Sequence, residues 1–198
     1  IVSVGRLVHR KGQDVLIEAM PEIIKQVPDA HILMIGEGPY RSYLETRVKS
    51  LGLQERVTFI GRIQYADLPR YICVGDLFVM PSRSRLAGLE VEGLGIVYLE
   101  ASACGLPVVA GDSGGAPDAV LEGETGLVVD GTKKADVSLK DYIELLNQIG
   151  EIARLSFPTM DEQNRLALAR PMVGADTKTL KGDVFLLRKV KHVLFAFT

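Results

Sequence analysis

The chain has 198 residues, 47% of them hydrophobic, enough to core one domain or one domain with an appendage. With 23 Lys and Arg against 25 Asp and Glu its net charge is -2, which gives no basic field for nucleic acid or an anionic bilayer, so an anionic ligand must be held by local groups. No apolar run reaches the roughly 18 residues of a membrane span, and no basic start followed by an apolar core marks a signal peptide.

In chain order, short β-rich runs recur at 1-5 (IVSVG), 31-36, 56-60, 76-80, 107-111 (PVVAG) and 126-129. Helix-compatible segments lie between them, near 14-26, 39-51, 66-73, 96-104 and 115-121. Apolar strands alternating with helices predict a Rossmann-like α/β fold, a parallel sheet with helices on both faces, because parallel neighbours need a crossover connection. Ligands of such sheets sit at the strands' carboxyl ends. The first strand begins at Ile1 itself, and that start reads as a cut between domains.

The run GEGPYR (36-41) fails as a dinucleotide fingerprint, since Arg41 stands where a third glycine belongs; NAD and FAD are set aside. Gly38 and Pro39 read instead as a helix N-cap and first helical residue. Cys73 and Cys104 lie in apolar surroundings without CxxC spacing and read as buried free thiols in a reducing compartment. Past Gly131 the composition changes: residues 1-130 carry a net -5 and 16 of the 20 glycines, residues 131-198 a net +3. Two units are therefore expected, a Rossmann-like domain over 1-131 and a partly helical extension over 132-198. The extension contains an amphipathic helix at 138-155 and an apolar-basic run at 183-197 that periodicity leaves open between helix and strand.

The stretch EVEGLGIVYLEASACGLPVVAG (90-111) carries the chemistry. With Gly95 as the turn into a helix, the N-H groups of Gly95, Ile96 and Val97 are the unpaired donors of a helix start, suited to phosphate. Gly93 and Gly95 let a ligand approach without a Cβ in the way. Glu100 lies one turn beyond Ile96, about 5 to 6 Å along the same face, where a carboxylate can accept from two ribose hydroxyls. Glu92 lies on the other side of the helix start. Two carboxylates bracketing an anion site suit a nucleotide sugar, but glutamates at a helix start are also stabilised by the helix dipole with no ligand. A second feature is VGRLVHRKGQD (4-14): Arg6 follows the first strand and Lys11 a short loop, so both can reach one diphosphate, though the same cations would also suit a solvated loop.

These segments, with IGEGP, FIGRI, DLFVMPS, GGAPDAV and GETGLVVDG in this order over residues 1 to about 131, resemble the donor-binding C-terminal domain of retaining GT-B glycosyltransferases of group 1. Within that family they look most like bacterial enzymes that transfer mannose from GDP-mannose to phosphatidylinositol mannosides. The resemblance implies that Arg6 and Lys11 grip the donor diphosphate, that Glu92 holds sugar hydroxyls and that Glu100 binds ribose. It places donor contacts at Gly5, at Gly93, Leu94, Gly95, Ile96 and Val97, and at Gly61, Arg62 and Ile63 beside the base. It implies no metal or other cofactor, a lipid or glycan acceptor, and a cytoplasmic protein seated peripherally on the inner membrane face through an N-terminal acceptor domain not in this chain. Leu86 and Ala87 stand where such relatives have glycines. His9, His31 and His192 read as structural. A nucleotide-sugar epimerase on the same scaffold and a non-catalytic nucleotide-binding fragment are the competing functions.

Overall fold

The structure is a computed structural model that describes residues 1-134 and 137. Six strands form one parallel sheet in the order β3-β2-β1-β4-β5-β6: β1 (Val2–Val4), β2 (Ile32–Ile35), β3 (Val57–Gly61), β4 (Phe78–Met80), β5 (Val108–Gly111) and β6 (Gly126–Val129). Every pairing is parallel, so each connection crosses over a face of the sheet. The helices are α1 (Gln13–Gln26), α2 (Arg41–Ser50), α3 (Leu68–Ile72) and α4 (Ile96–Ala103).

Because successive strand residues face opposite sides, each strand feeds two cores. Val79 and Val109 join Leu16, Ile17, Met20 and Ile23 of α1 and Leu44 of α2. Their neighbours Phe78, Met80, Val108 and Ala110 join Ile72 of α3 and Tyr98 and Ala101 of α4. The sheet is therefore buried on both faces, which is why its strands read as continuous apolar runs rather than alternating ones. From β1 the chain winds outward to β3, then returns to lay β4 beside β1. The crevice between β1 and β4, where the winding reverses, is where a ligand is expected in such a sheet.

All six expected strands and the Rossmann-like layout are present. Three local expectations need correcting. α2 starts at Arg41, not at Pro39, with Tyr40 before it and no side-chain cap. Gly38 is instead required by a close crossing of two loops. A Cβ there would lie 2.2 Å from the Leu7 carbonyl oxygen, so glycine lets the β2–α2 loop cross the β1–α1 loop, where Tyr40 N–H donates to that carbonyl at 3.1 Å. The segment near 115-121 forms only a 3-10 turn, Pro117–Ala119, because Val120 is already extended. Cys73 and Cys104 form no disulfide, as expected, but both are half-buried rather than buried. The expected helix at 138-155, the run at 183-197 and His192 lie outside the described residues.

Candidate functional site

Gly95, with φ 69° and ψ 62° in the left-handed region, turns the chain into α4. Its conformation is the one glycine adopts without strain, and a Cβ there would also strike the Tyr98 ring at 2.4 Å. The amides at the start of α4 therefore open onto the β1–β4 crevice, as the sequence predicts. There a cavity of about 460 Å³ is lined by Gly5, Lys11, Glu92, Leu94, Gly95, Ile96, Val97 and Glu100, together with Val4 and Leu68. That volume lies in the range of small-molecule sites.

The loop after β1 delivers the cations. His9–Lys11 form a 3-10 turn closed by Gly12, and Gln13 Nε2 donates to the Arg6 carbonyl at 3.2 Å, pinning the loop's start to the head of α1. Lys11 is buried, and its Nζ lies 2.6 Å from Glu92 Oε2. Arg10 Nη1 reaches the same oxygen at 3.1 Å. Ser82, after β4, adds its hydroxyl at 3.3 Å, and the Glu92 amide donates to Ser113 Oγ at 3.1 Å. Behind them Tyr98 donates to the Met80 carbonyl at 2.8 Å and lies 3.1 Å from Ser82 Oγ. Burial and the negative charge of Glu92 push the Tyr98 phenol well above its ordinary pKa, so it stays protonated and remains a donor. Glu92 is thus not a solvated dipole partner of α4. It is 7% exposed and held from the loops after β1, β4 and β5.

The second glutamate is placed differently. Glu100, half-buried on α4, accepts one hydrogen bond, from the Tyr65 hydroxyl at 2.7 Å. Tyr65 is 76% exposed, and this bond to a carboxylate raises its phenol pKa.

Of the expected set, Arg6, Gly61, Arg62, Ile63 and Gly93 do not line this cavity. Arg6 is exposed and lines another cavity, while Arg10 joins Lys11 on the Glu92 carboxylate. Gly61 ends β3, two strands from β1, and Arg62 and Ile63 follow it, although Ile63 packs against the α3–α4 core on the same face as the cavity. Arg62 is exposed. Ser82, Tyr98, Ser113 and Tyr65 were not foreseen. The polar run PSRS directly after β4 was the available signal, since the carboxyl end of a strand at the winding reversal faces the crevice. That run also supplies Arg83, whose Nη2 lies 2.7 Å from Asp14 Oδ2 and 2.9 Å from His9 Nδ1. His9 is held in this cluster as a structural group; burial, then Arg83 and Arg85, lower its pKa. Among the described residues no three His, Cys, Asp or Glu side chains group as a metal site, and no helix is long and apolar enough to cross a membrane.

The family model for glycosyl transferases group 1 matches residues 1-155. A GDP-mannose-dependent alpha-(1-6)-phosphatidylinositol monomannoside mannosyltransferase of Mycolicibacterium smegmatis is 56% identical over 132 residues, 67% of this chain and 35% of that protein. A GDP-mannose-dependent monoacylated alpha-(1-6)-phosphatidylinositol monomannoside mannosyltransferase of Corynebacterium glutamicum is 51% identical, over 72% of this chain and 36% of its own length. The chain thus spans about a third of the length of these relatives. Among solved structures, the C-terminal domain of a group 1 glycosyl transferase family protein, LpcC, from Francisella tularensis matches in fold with a TM-score of 0.62 at 24% identity, covering 96% of this chain and 85% of that one.

Proposed function

Because the chain belongs to the glycosyl transferases group 1 family, we propose that it is the donor-binding domain of a retaining mannosyltransferase that takes mannose from GDP-mannose and transfers it to a phosphatidylinositol mannoside. The observation that carries this reading is that one cavity is lined, in chain order, by Glu92, the start of α4 and Glu100, with Lys11 paired to Glu92. A nucleotide sugar carries the same sequence of chemistry, sugar hydroxyls, diphosphate and ribose.

In this reading Glu100 accepts from the ribose hydroxyls and the amides of Gly95, Ile96 and Val97 receive the diphosphate. Glu92 orients the sugar and, lying among cations, is no covalent nucleophile. Cleavage of the sugar–phosphate bond leaves negative charge on the departing diphosphate. Lys11 and the α4 amides are fixed where that charge grows, a preorganised electrostatic stabilisation that calls for no metal. Arg6, on the rim, adds a guanidinium that reaches the diphosphate only after its side chain turns from the other cavity. Gly61 to Ile63 contact the base through their main chain.

Calorimetry on this chain with GDP, UDP and GDP-mannose tests the assignment. GDP should bind more tightly than UDP, and GDP-mannose should differ from GDP by the contribution of its sugar. Equal affinity for GDP and UDP would remove the guanine assignment, and no binding of any of the three would remove the donor-site reading.

A further inference from the structure

The turn that carries Arg10 and Lys11 is held by one buried arginine outside the donor cavity. Arg83, in the run PSRS after β4, is 7% exposed and does not line that cavity. Its backbone N–H donates to the Arg10 carbonyl at 2.8 Å, inside the His9–Lys11 turn. Its side chain grips both flanks of the same turn. Nη2 lies 2.7 and 2.9 Å from the two carboxylate oxygens of Asp14, in the first turn of α1, while Nη2 and Nε lie 2.9 and 3.2 Å from His9 Nδ1. The Tyr40 hydroxyl donates to Asp14 Oδ2 at 3.1 Å and steadies that carboxylate from the β2–α2 loop. Gly12, which ends the turn, sits so close to the segment after β4 that a Cβ there would lie 1.9 Å from the Pro81 carbonyl oxygen.

These contacts fix the protonation state of His9 by geometry. A guanidinium has donors and no acceptor, so a ring nitrogen met by two of its N–H groups must present a lone pair. His9 Nδ1 is therefore unprotonated and the imidazole neutral. In the imidazolium both ring nitrogens carry N–H, which sets N–H against N–H and a second positive charge against Arg83. The charged and titratable groups around the ring come from every element packed on it: Arg83, Arg85 and Glu90 from the segment after β4, Asp14 from α1, and Tyr40 from the β2–α2 loop, its ring centroid 5.3 Å away. Arg10 is its neighbour in the turn. Burial first, then Arg83 and Arg85, hold the His9 pKa below the ordinary histidine value against the opposite pull of Asp14 and Glu90.

We propose that Arg83 is a positioning residue of the donor site, holding Arg10 and Lys11 in their binding place through the turn they share with His9, and that this hold requires His9 to be neutral. The proposal rests on the donor reading, since that reading makes Lys11 a ligand of the diphosphate. Lys11 belongs to the same 3-10 turn as His9, so the path of that turn sets where its ammonium lies, now 2.6 Å from Glu92. Protonation of His9 drives the ring from Arg83, and the backbone that moves with it carries Arg10 and Lys11. Donor affinity then falls as the pH falls through the His9 pKa. Charge attraction alone has the opposite sign, because a protonated His9 near an anionic ligand would strengthen binding in acid. Direction, not size, separates the two accounts.

The test measures the dissociation constant of GDP-mannose for this chain by calorimetry from about pH 7.5 to about pH 5, the window in which histidine charges. GDP-mannose is the probe because its diphosphate is esterified at both ends and, unlike the terminal phosphate of GDP, has no second ionisation near neutrality. Affinity should fall on acidification by up to about tenfold per pH unit below the His9 pKa, as one linked proton requires. In His9→Asn, whose side-chain oxygen can accept from Arg83 but takes up no proton, the profile should be flat. Arg83→Lys keeps the charge but loses the planar fork, and should weaken GDP-mannose about fivefold or more with the acid dependence gone. Should Arg83→Lys fold poorly, the profiles of the unaltered chain and of His9→Asn decide by themselves. An affinity that rises in acid, a flat profile in the unaltered chain, or the same slope retained in His9→Asn would overturn the proposal. Failure of the unaltered chain to bind GDP-mannose at any of these pH values would fault the donor reading instead.

Discussion

The two glutamates that line the cavity at the start of α4 are held on opposite principles. Glu92 is buried and held by Lys11, Arg10, Ser82 and the backbone link to Ser113, with Tyr98 behind. Glu100 is half-buried on the face of α4 and meets one exposed tyrosine. The same residue type, eight positions apart, is a structural keystone in one place and an open acceptor in the other. What separates them is where the surrounding chain comes from. Glu92 lies where the loops after β1, β4 and β5 converge, whereas Glu100 has only its own helix and the turn before α3. A motif that reads as two equivalent carboxylates is therefore a fixed group and an available one.

The largest effect should come from Glu92→Ala. Removing that carboxylate leaves the buried Lys11 ammonium and the Arg10 guanidinium without their partner, and uncompensated buried charge costs about 3 kcal/mol or more of folding stability. Denaturant melts should show the loss, and saturating GDP should restore part of it, because a diphosphate supplies the missing negative charge. An unchanged melt would mean that the two glutamates do not differ in burial as described. Glu100→Ala should do the reverse. Its folding stability should stay close to that of the parent, while GDP binds more weakly by about 1.5 to 3 kcal/mol if hydrogen bonds to a charged group are lost. Equal losses in melting and in binding from both variants would abolish the distinction and favour the plain helix-dipole account of the two glutamates.

Tyr65→Phe should give the smallest effect and the finest discrimination. The Tyr65 hydroxyl occupies a lone pair of Glu100 that a ribose hydroxyl would use. Removing this competitor should tighten GDP binding about twofold, a small gain because an exposed hydrogen bond competes with water in any case. A weakening measured by calorimetry would show that the phenol holds Glu100 in its binding orientation rather than competing for it.

Much of this site was legible in the sequence. Strand and helix alternation, Gly95 as the entry to α4 and the spacing of Glu92 and Glu100 about it follow from period and spacing, which are local properties, whereas the pairing of Lys11 with Glu92, 81 residues apart, does not. Arg6 shows where that legibility ends. Its position just after β1 is as expected, but which of two cavities a long side chain lines is a matter of side-chain placement that the sequence does not encode. Gly38 and Pro39 misled for a similar reason. The Gly-Pro pair has the composition of a helix start, while the actual constraint is the close crossing over the Leu7 carbonyl, a contact between loops 31 residues apart in the chain. Ser82, Ser113 and Tyr98 were missed because their role depends on β4 and β5 lying side by side, which sequence spacing does not encode. Leu86 and Ala87 show the converse. Both take left-handed backbone angles, φ 51° and 52°, at positions where the resemblance suggested glycine, so the hairpin from Arg85 to Glu90 keeps a glycine-like path with side chains present. Each such residue costs roughly 1 to 3 kcal/mol of local strain.

The single oxygen shared by Lys11 and Arg10 also bears on how the protein should respond to ionic strength. Cations left open to solvent attract mobile anions, and a ligand that replaces those anions binds more weakly as salt rises. Here a covalently tethered carboxylate already occupies much of that place, at a concentration no buffer can match, so added chloride has little to displace. The affinity for GDP should fall gently with salt for a site containing so many positive groups. In Glu92→Ala, where solution anions must replace the tethered one, the same titration should fall more steeply.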